Sequence, residues 1–351
     1  MFAPDIETPA WLHDLNPDQA RAVTHGGGPL LVIAGAGSGK TRTLASRVAW
    51  LIEQGTAADR ILLLTFTRRA SAEMVRRAGA LIRDRSTGRV WGGTFHSIAN
   101  RLLRRHAGAV GLDGNYTVLD QADAESLFGV LRTETGAAEG KVRFPRKETI
   151  AAIYSRTVNE QARLDEMLQQ RFPWCQDHDE ELREIFKAYR ARKREHNVLD
   201  YDDLLLYWRA LVESPAANAV RGLFDHVLVD EFQDTNRIQG DILRRLCGAD
   251  GNLTVVGDDA QAIYAFRAAS IENIRRFPDE YESVDVVALE QNYRSTPQIL
   301  TAANAVIAQS DELYPKQLRS DRPDGPIPDL VTCFDEAAQA DFVCDQVLAH
   351  R

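Results

Sequence analysis

Short apolar runs alternate with stretches of helical periodicity through the first hundred positions. "LNPDQARAV" predicts a helix start: Asn16 suits the cap, Pro17 the first helical position, and Gln19 the partner position of a capping box. "PLLVIAG" then predicts a short buried strand, and "KTRTLASRVAWLIEQG" a helix closed by Gly55. "RILLLTF" reads as a second strand and "RRASAEMVRRAGALI" as a helix, after which "RVWGGTFHS" reads as a third strand running into a loop. Strands and helices alternating at this spacing imply a mostly parallel α/β sheet. From about Ile98 to Leu223 the pattern is helical, with turn signals at "GLDGN", "TGAAEG" and "ESPAAN" and no convincing strand, as in a helical insertion. Strand signals return at "HVLVDE", "LTVVGD" and "SVDVVALE", so the sheet is expected to resume on the far side.

Composition narrows the class. A length of 351 residues, 44% hydrophobic and 26% charged, suits a soluble globular protein of two or more compact units. The formal charge of −9 excludes a uniformly basic nucleic-acid binder but leaves room for a local positive groove. Cys175, Cys247, Cys333 and Cys344 lie far apart and read as reduced thiols. The start "MFAPDIETPAWLHDL" does not resemble a targeting signal, and no apolar run approaches the roughly 20 residues of a membrane helix. The expected location is cytoplasmic, with no membrane partner.

Chemistry enters at "AGAGSGKT", where three glycines precede Lys40 and Thr41 between a predicted strand and a predicted helix. Such a loop turns its backbone N–H groups onto phosphates, its lysine reaches the terminal ones, and the Thr41 hydroxyl suits Mg²⁺. The strict pattern opens with glycine where this chain has Ala34, a departure that still permits a tight turn. The strand of "VLVDEFQD" ends in Asp230 and Glu231. Carboxylates there suit a metal (Asp230) and an attacking water (Glu231).

Taken together, "LNPDQ", "AGAGSGKT", "LLTFTRRASAEM", "GGTFHS", "DEFQD", "VVGDDAQAIYAFRAA" and "LEQNYRS" resemble, in order and spacing, the superfamily 1 DNA helicases of the UvrD, Rep and PcrA type. "KREHNVLDYDDLL" looks like a further stretch of that family, and the resemblance runs from about Leu15 to Thr296. It implies an α/β, P-loop NTPase (RecA-like) parallel sheet flanked by helices with an all-α inserted subdomain. The implied division is 1–97 and 224–288 for the first RecA-like domain, 98–223 for the insertion and 289–351 for the opening of a second RecA-like domain. It also implies ATP and Mg²⁺ as cofactors, single-stranded or duplex-junction DNA as partner, and movement 3′ to 5′.

Residue by residue, the resemblance places nucleotide on Ala36, Gly37, Ser38, Gly39, Lys40 and Thr41, with Mg²⁺ on Thr41 and Asp230. Gln19 is similar to the family's adenine-reading glutamine, and a carboxamide suits that edge, although the same side chain suits the capping box. Arg42 and Tyr293 look like the faces that sandwich the adenine ring. Gln261 looks like the γ-phosphate sensor, and Arg267 and Arg294 like cationic clamps on the transferring phosphoryl group. Phe66, Thr67, His96, Tyr264 and Phe266 sit where the family touches DNA. A core role competes for Phe66 and Phe266, and a loop hydrogen bond for His96. Where the family often has tryptophan and glycine, this chain has Phe266 and Ala268. The basic sets Lys187, Arg190, Arg192, Lys193, Arg194 and Arg101, Arg104, Arg105 fit either solvated helix faces or a phosphate groove. Further family motifs are not found after Thr296, so these residues alone are expected to turn over ATP poorly. The competing reading is a nucleotide-controlled DNA- or protein-binding module without motor activity.

Overall fold

The computed structural model describes residues 9–82, 84–137, 143–309 and 314–350. The strands are β1 (Leu30–Ala34), β2 (Ile61–Leu64), β3 (Trp91–Gly93), β4 (Thr117–Val118), β5 (Val198–Leu199), β6 (His226–Val229), β7 (Leu253–Gly257) and β8 (Asp285–Leu289). Six of them form one sheet in the order β3-β2-β6-β7-β1-β8. Every pairing in it is parallel, with Leu31 opposite both Val255 and Val286, and Leu63 opposite Leu228.

The helices are α1 (Pro17–Thr24), α2 (Lys40–Glu53), α3 (Arg68–Ile82), α4 (Phe95–His106), α5 (Gln121–Glu134), α6 (Lys147–Asn159), α7 (Leu164–Arg171), α8 (Asp179–Glu195), α9 (Tyr201–Glu213), α10 (Ala217–Arg221), α11 (Arg237–Cys247), α12 (Glu272–Arg275), α13 (Phe277–Glu280), α14 (Pro297–Ile307) and α15 (Glu336–Ala349). The capping box before α1 forms as expected, and Gly55 follows α2 with a φ of 92° that a side chain would resist.

Successive residues of a strand point to opposite faces, and both faces of this sheet are buried. Leu31, Ile33, Leu62, Leu64, Val227, Val229 and Val255 pack under α4, α9 and α11. Leu30, Val32, Ile61, Leu63, Leu228 and Val256 pack under α2 and α3 on the other side. This explains the unbroken apolar runs. Burying each such side chain contributes about 1.5–3 kcal/mol. A separate core, built on Phe128, Ile150, Ile153, Tyr154, Leu182, Phe186 and Tyr189, holds α5 to α8 together.

Two expectations change. The segment after β3 is not a loop: Thr94 accepts a bond from Ser97 N (3.3 Å) and caps α4, so His96 stands in a helical first turn. The insertion is not wholly helical, because β4 and β5 form a small parallel ladder with Thr117 opposite Val198. Two-residue strands leave too short an alternation to be read from sequence. α9 and most of α4 fall within residues 98–223 and share the sheet's core, whereas a separate helical core runs from Phe128 to Tyr189. Helical periodicity alone does not say which core a helix faces.

Because the strands are parallel, the turns after β1, β2, β3, β6, β7 and β8 all emerge at one edge of the sheet.

Candidate active site

The glycine loop follows β1. Ala34 is the last, fully buried residue of that strand, so alanine serves where the turn has not yet begun. The turn itself uses Gly37 and Gly39, with φ of 78° and 90°. A Cβ on Gly35 would stand 2.7 Å from Leu318, one on Gly37 2.7 Å from Asn292 and Arg294, and one on Gly39 2.6 Å from Gln19. Ser38 Oγ closes the loop by donating to Gly35 O (2.7 Å), while Ala36 is exposed at its crest. Gly39 caps α2 with no side chain acceptor, which leaves the first N–H groups of that helix for an anion.

Across from the loop, β6 delivers Asp230, whose N–H donates to Leu64 O (2.9 Å). Glu231 adopts φ 48° and ψ 51°, a left-handed conformation that turns its side chain back toward the loop. Lys40 Nζ lies 3.3 Å from Glu231 Oε2. Lys40 Nζ, Asp230 Oδ1 and Asp234 Oδ1 are buried without hydrogen-bond partners. Burial, reinforced by Glu231 and opposed by Lys40, pushes the Asp230 carboxyl up to about 7. Burial and Glu231 likewise raise Asp234 to about 6.

A crowd of orphaned acidic oxygens beside a lysine and a bare helix N-terminus suits a phosphate with a hard divalent cation. Among the described residues no group of three or more His, Cys, Asp or Glu could cage a metal. The partnerless Asp230 Oδ1 is a donor of the kind such a cation takes, with water and phosphate completing the shell.

Sequence reasoning did not single out the residues that knit these parts together. Gln233 Nε2 donates to Glu231 Oε2 (2.9 Å), and its Oε1 accepts from Asp258 N (3.0 Å). Asp258 in turn accepts from Gln261 Nε2, one of the expected site residues. Gln233 lies inside the quoted "DEFQD", so its position was available, but its bridging role depends on β6 and β7 being neighbours.

Gln19 is 1% exposed and already employed: Oε1 accepts from Asn16 N (3.3 Å) and Nε2 donates to Ser38 O (3.0 Å). The capping-box reading is thus realised, with the carboxamide braced against the phosphate loop. Arg42 donates to Asp14 O (2.9 Å), and the Tyr293 hydroxyl accepts from Asn16 Nδ2 (2.9 Å), so both converge on the segment ahead of α1. Tyr293 N also donates to Gly37 O (2.9 Å), which places Arg294 beside the loop, with an exposed side chain. Arg267 ends a short turn, and its side chain lies outside the described residues.

An aromatic row flanks the site. Phe66, 41% exposed, has its ring centroid 4.9 Å from Tyr264, and Tyr264 lies 5.7 Å from Phe266, which is 67% exposed. The core reading therefore does not hold for Phe266. Ala268, where the family often has glycine, sits in a left-handed conformation (φ 63°) that explains why glycine suits the position. Thr67 Oγ1 accepts from Ala70 N (3.1 Å) at the start of α3. From α6, Arg156 donates to Phe266 O (2.9 Å) and Ala265 O (3.3 Å), fastening the loop to the helical core. The half-buried His96 ring stands edge-on to Tyr201, and burial lowers its pKa to about 4.

Several members of the basic sets serve packing. The Arg101 and Arg105 guanidinium groups lie over Trp91 at 3.6 and 4.8 Å, Arg104 covers Tyr116, and Arg192 pairs with Glu134 (2.8 Å). Lys193 is buried between Asp200 and Asp203, at 2.6 Å from each.

Fold and site define a P-loop NTPase: a parallel sheet flanked by helices, with a glycine loop and a carboxylate pair facing each other at its carboxyl edge. The chain matches the profile of the UvrD/REP helicase N-terminal domain over residues 15–282, and it belongs to that family. It is 37% identical over 358 residues to the ATP-dependent DNA helicase UvrD1 of Mycobacterium leprae, a match covering 98% of this chain and 46% of that protein. To UvrD1 of Mycobacterium tuberculosis it is 38% identical, over 96% of this chain and 44% of the relative. To the ATP-dependent DNA helicase PcrA of Staphylococcus aureus it is 35% identical, over 97% and 46%. The chain spans about half the length of the curated relatives it matches. Among the described residues no helix is long and apolar enough to cross a membrane.

Proposed function

We propose that this chain is the nucleotide-binding part of an ATP-dependent DNA helicase or translocase that acts on single-stranded or duplex-junction DNA and moves 3′ to 5′. The observation that carries the reading is Lys40 Nζ at 3.3 Å from Glu231 beside the partnerless Asp230 Oδ1, at the mouth of the glycine loop. Ala36, Gly37 and Gly39 present backbone N–H groups to the phosphates, Ser38 closes the turn through its N–H on Gly35 O (3.2 Å), and Lys40 exchanges Glu231 for the terminal phosphates. Thr41 and Asp230 would hold Mg²⁺, which supplies charge neutralisation when bound. Glu231, released from Lys40 and still held by Gln233, orients the attacking water and takes its proton. Gln261 faces the terminal phosphate, and Arg294 and Arg267 neutralise charge that develops there. Arg42 and Tyr293 flank the adenine ring. Gln19, already braced against Ser38, reads its edge with the remaining capacity of its carboxamide.

The aromatic row is the DNA-facing surface, with Phe266 and Tyr264 offering ring faces to bases and Thr67 offering its hydroxyl to the backbone. His96, edge-on to Tyr201, would meet DNA as a neutral ring. Regions 1–97 with 224–288, 98–223 and 289–351 are our working division into first RecA-like domain, insertion and opening of a second. ATP turnover measured with and without oligo(dT) tests the reading. We expect Mg²⁺-dependent ATP binding and slow hydrolysis that responds to DNA, the hydrolysis rate falling at least about 100-fold with Lys40→Ala. Turnover that survives Lys40→Ala would overturn it.

A further inference from the structure

The stretch from Tyr314 to Arg322 follows α14 and lies across the site like a strap. Tyr314 Oη donates to Ile274 O (3.3 Å), and the Leu318 side chain covers Gly35. Arg319 N donates to Glu290 O (3.0 Å), and Arg319 O accepts from Asn292 N (2.7 Å). At its centre Lys316, 4% exposed in its side chain, places Nζ 2.8 Å from Asp258 Oδ1 and 3.0 Å from Asp259 Oδ1. Those two carboxylates are 3% and 2% exposed. Asp258 spends its other oxygen on Gln261 Nε2, and its N–H is held by Gln233, which also holds Glu231. A single run of polar contacts thus leads from Glu231 beside the glycine loop to a lysine contributed by the strap.

We propose that Lys316 is a positioning residue for Gln261, acting through the Asp258 carboxylate, so that the seating of the strap sets the orientation of the phosphate-facing carboxamide. Two adjacent buried carboxylates repel each other in a low-dielectric setting, and a shared ammonium is what keeps both in place. With Lys316 present, Asp258 is a fixed, charged acceptor, and a charge-assisted bond holds the Gln261 amide in one orientation. Without it, Asp258 Oδ1 keeps only the Ala260 N–H (3.2 Å), the two carboxylates repel each other unopposed, and the acceptor that orients Gln261 is no longer fixed. The carbon stem of Lys316 adds little packing that a methionine would not replace, so the charge is the operative part. This inference rests on the ATP-hydrolysing reading of the site.

The test combines kinetics with a spectroscopic readout. In the full chain, Lys316→Met is expected to lower kcat for ATP about tenfold with nucleotide Kd within twofold. Gln261→Ala is expected to lower it similarly, and the double variant no further. Asp259→Asn, which leaves the Lys316–Asp258 contact, is expected to keep kcat. If Lys316→Met does not fold, Lys316→Met in the Asp259→Asn background carries the same measurements with less uncompensated charge. The Gln261 side-chain amide resonance, assigned by its loss in Gln261→Ala, is expected to move to the position of an unbonded amide in the Lys316 variant without nucleotide. An unmoved resonance, multiplying kinetic losses, or a loss confined to Kd would overturn the proposal. Undiminished turnover in Lys40→Ala would instead overturn the function reading, and the amide resonance would still decide the role of Lys316.

Discussion

Individual residues carry this site through backbone conformation as much as through side-chain chemistry. Gly39 combines a φ of 90° with a neighbour, Gln19 Nε2, 2.6 Å from where a Cβ would lie. Gly39→Ala is therefore expected to cost about 1–3 kcal/mol of stability, read by thermal unfolding, and to displace the glycine loop. His96 offers a pH test. Its folded pKa, lowered to about 4 by burial, lies below the ordinary value of 6.5, so the folded state binds fewer protons between those limits. Its contribution to stability is present above pH 6.5 and is lost as pH falls toward 4. The imidazole resonances should stay at their neutral positions down to about pH 5, and an inflection near 6.5 would show the ring to be solvated. Lys40 and Glu231 were legible from sequence as partners across the site. Gln233, Asp258 and Lys316 were not, because each acts on a residue far away in the chain.

At the scale of elements, the join between the helical core and the sheet is polar. Asn159 on α6 donates to Asp202 on α9 (2.6 Å) and accepts from Asn236 at the start of α11 (2.7 Å). Beside it, Lys193 on α8 sits between Asp200 and Asp203. Burial, then the Asp200 charge, raises Asp202 to about 7. A carboxyl raised above its unfolded value of 3.8 favours the fold fully below about pH 4, and that contribution is lost as pH rises through 7. Asp202→Asn keeps an acceptor for Ser155 and Asn159, so it should stabilise the chain more at pH 8 than at pH 5 in paired thermal melts. An equal effect at both pH values would mean that Asp202 is ionised throughout. "KREHNVLDYDDLL" is thus a structural knot as well as a family stretch, and its basic residues could not be sorted by sequence, since buried and solvated lysines share the same helical spacing.

The whole molecule sets two surfaces at one sheet edge, the mouth of the glycine loop and the aromatic row, joined by the loop between Gln261 and Phe266. Arg156 ties that loop to the helical core, so three parts of the chain meet where we place nucleotide and DNA. Phe266→Ala should weaken oligo(dT) binding about tenfold in fluorescence anisotropy, since stacking contributes about 1–3 kcal/mol per base. The slope of affinity against salt should not change, because a ring contacts no phosphate. Unchanged affinity would remove the row from the DNA path.

What the amino-acid order determined by itself was local: apolar runs long enough for buried strands, caps and glycines that bound helices, and a loop and an acidic pair whose chemistry follows from residue type and spacing. Tertiary structure alone decided which helices share the sheet's core, that Gln19 Nε2 is braced against Ser38, that several arginines cover aromatic rings, and that Lys316 reaches Asp258. The physical reason is range. Backbone propensity and periodicity act over a few residues, whereas burial, ion pairing and hydrogen-bond relays depend on which strands become neighbours.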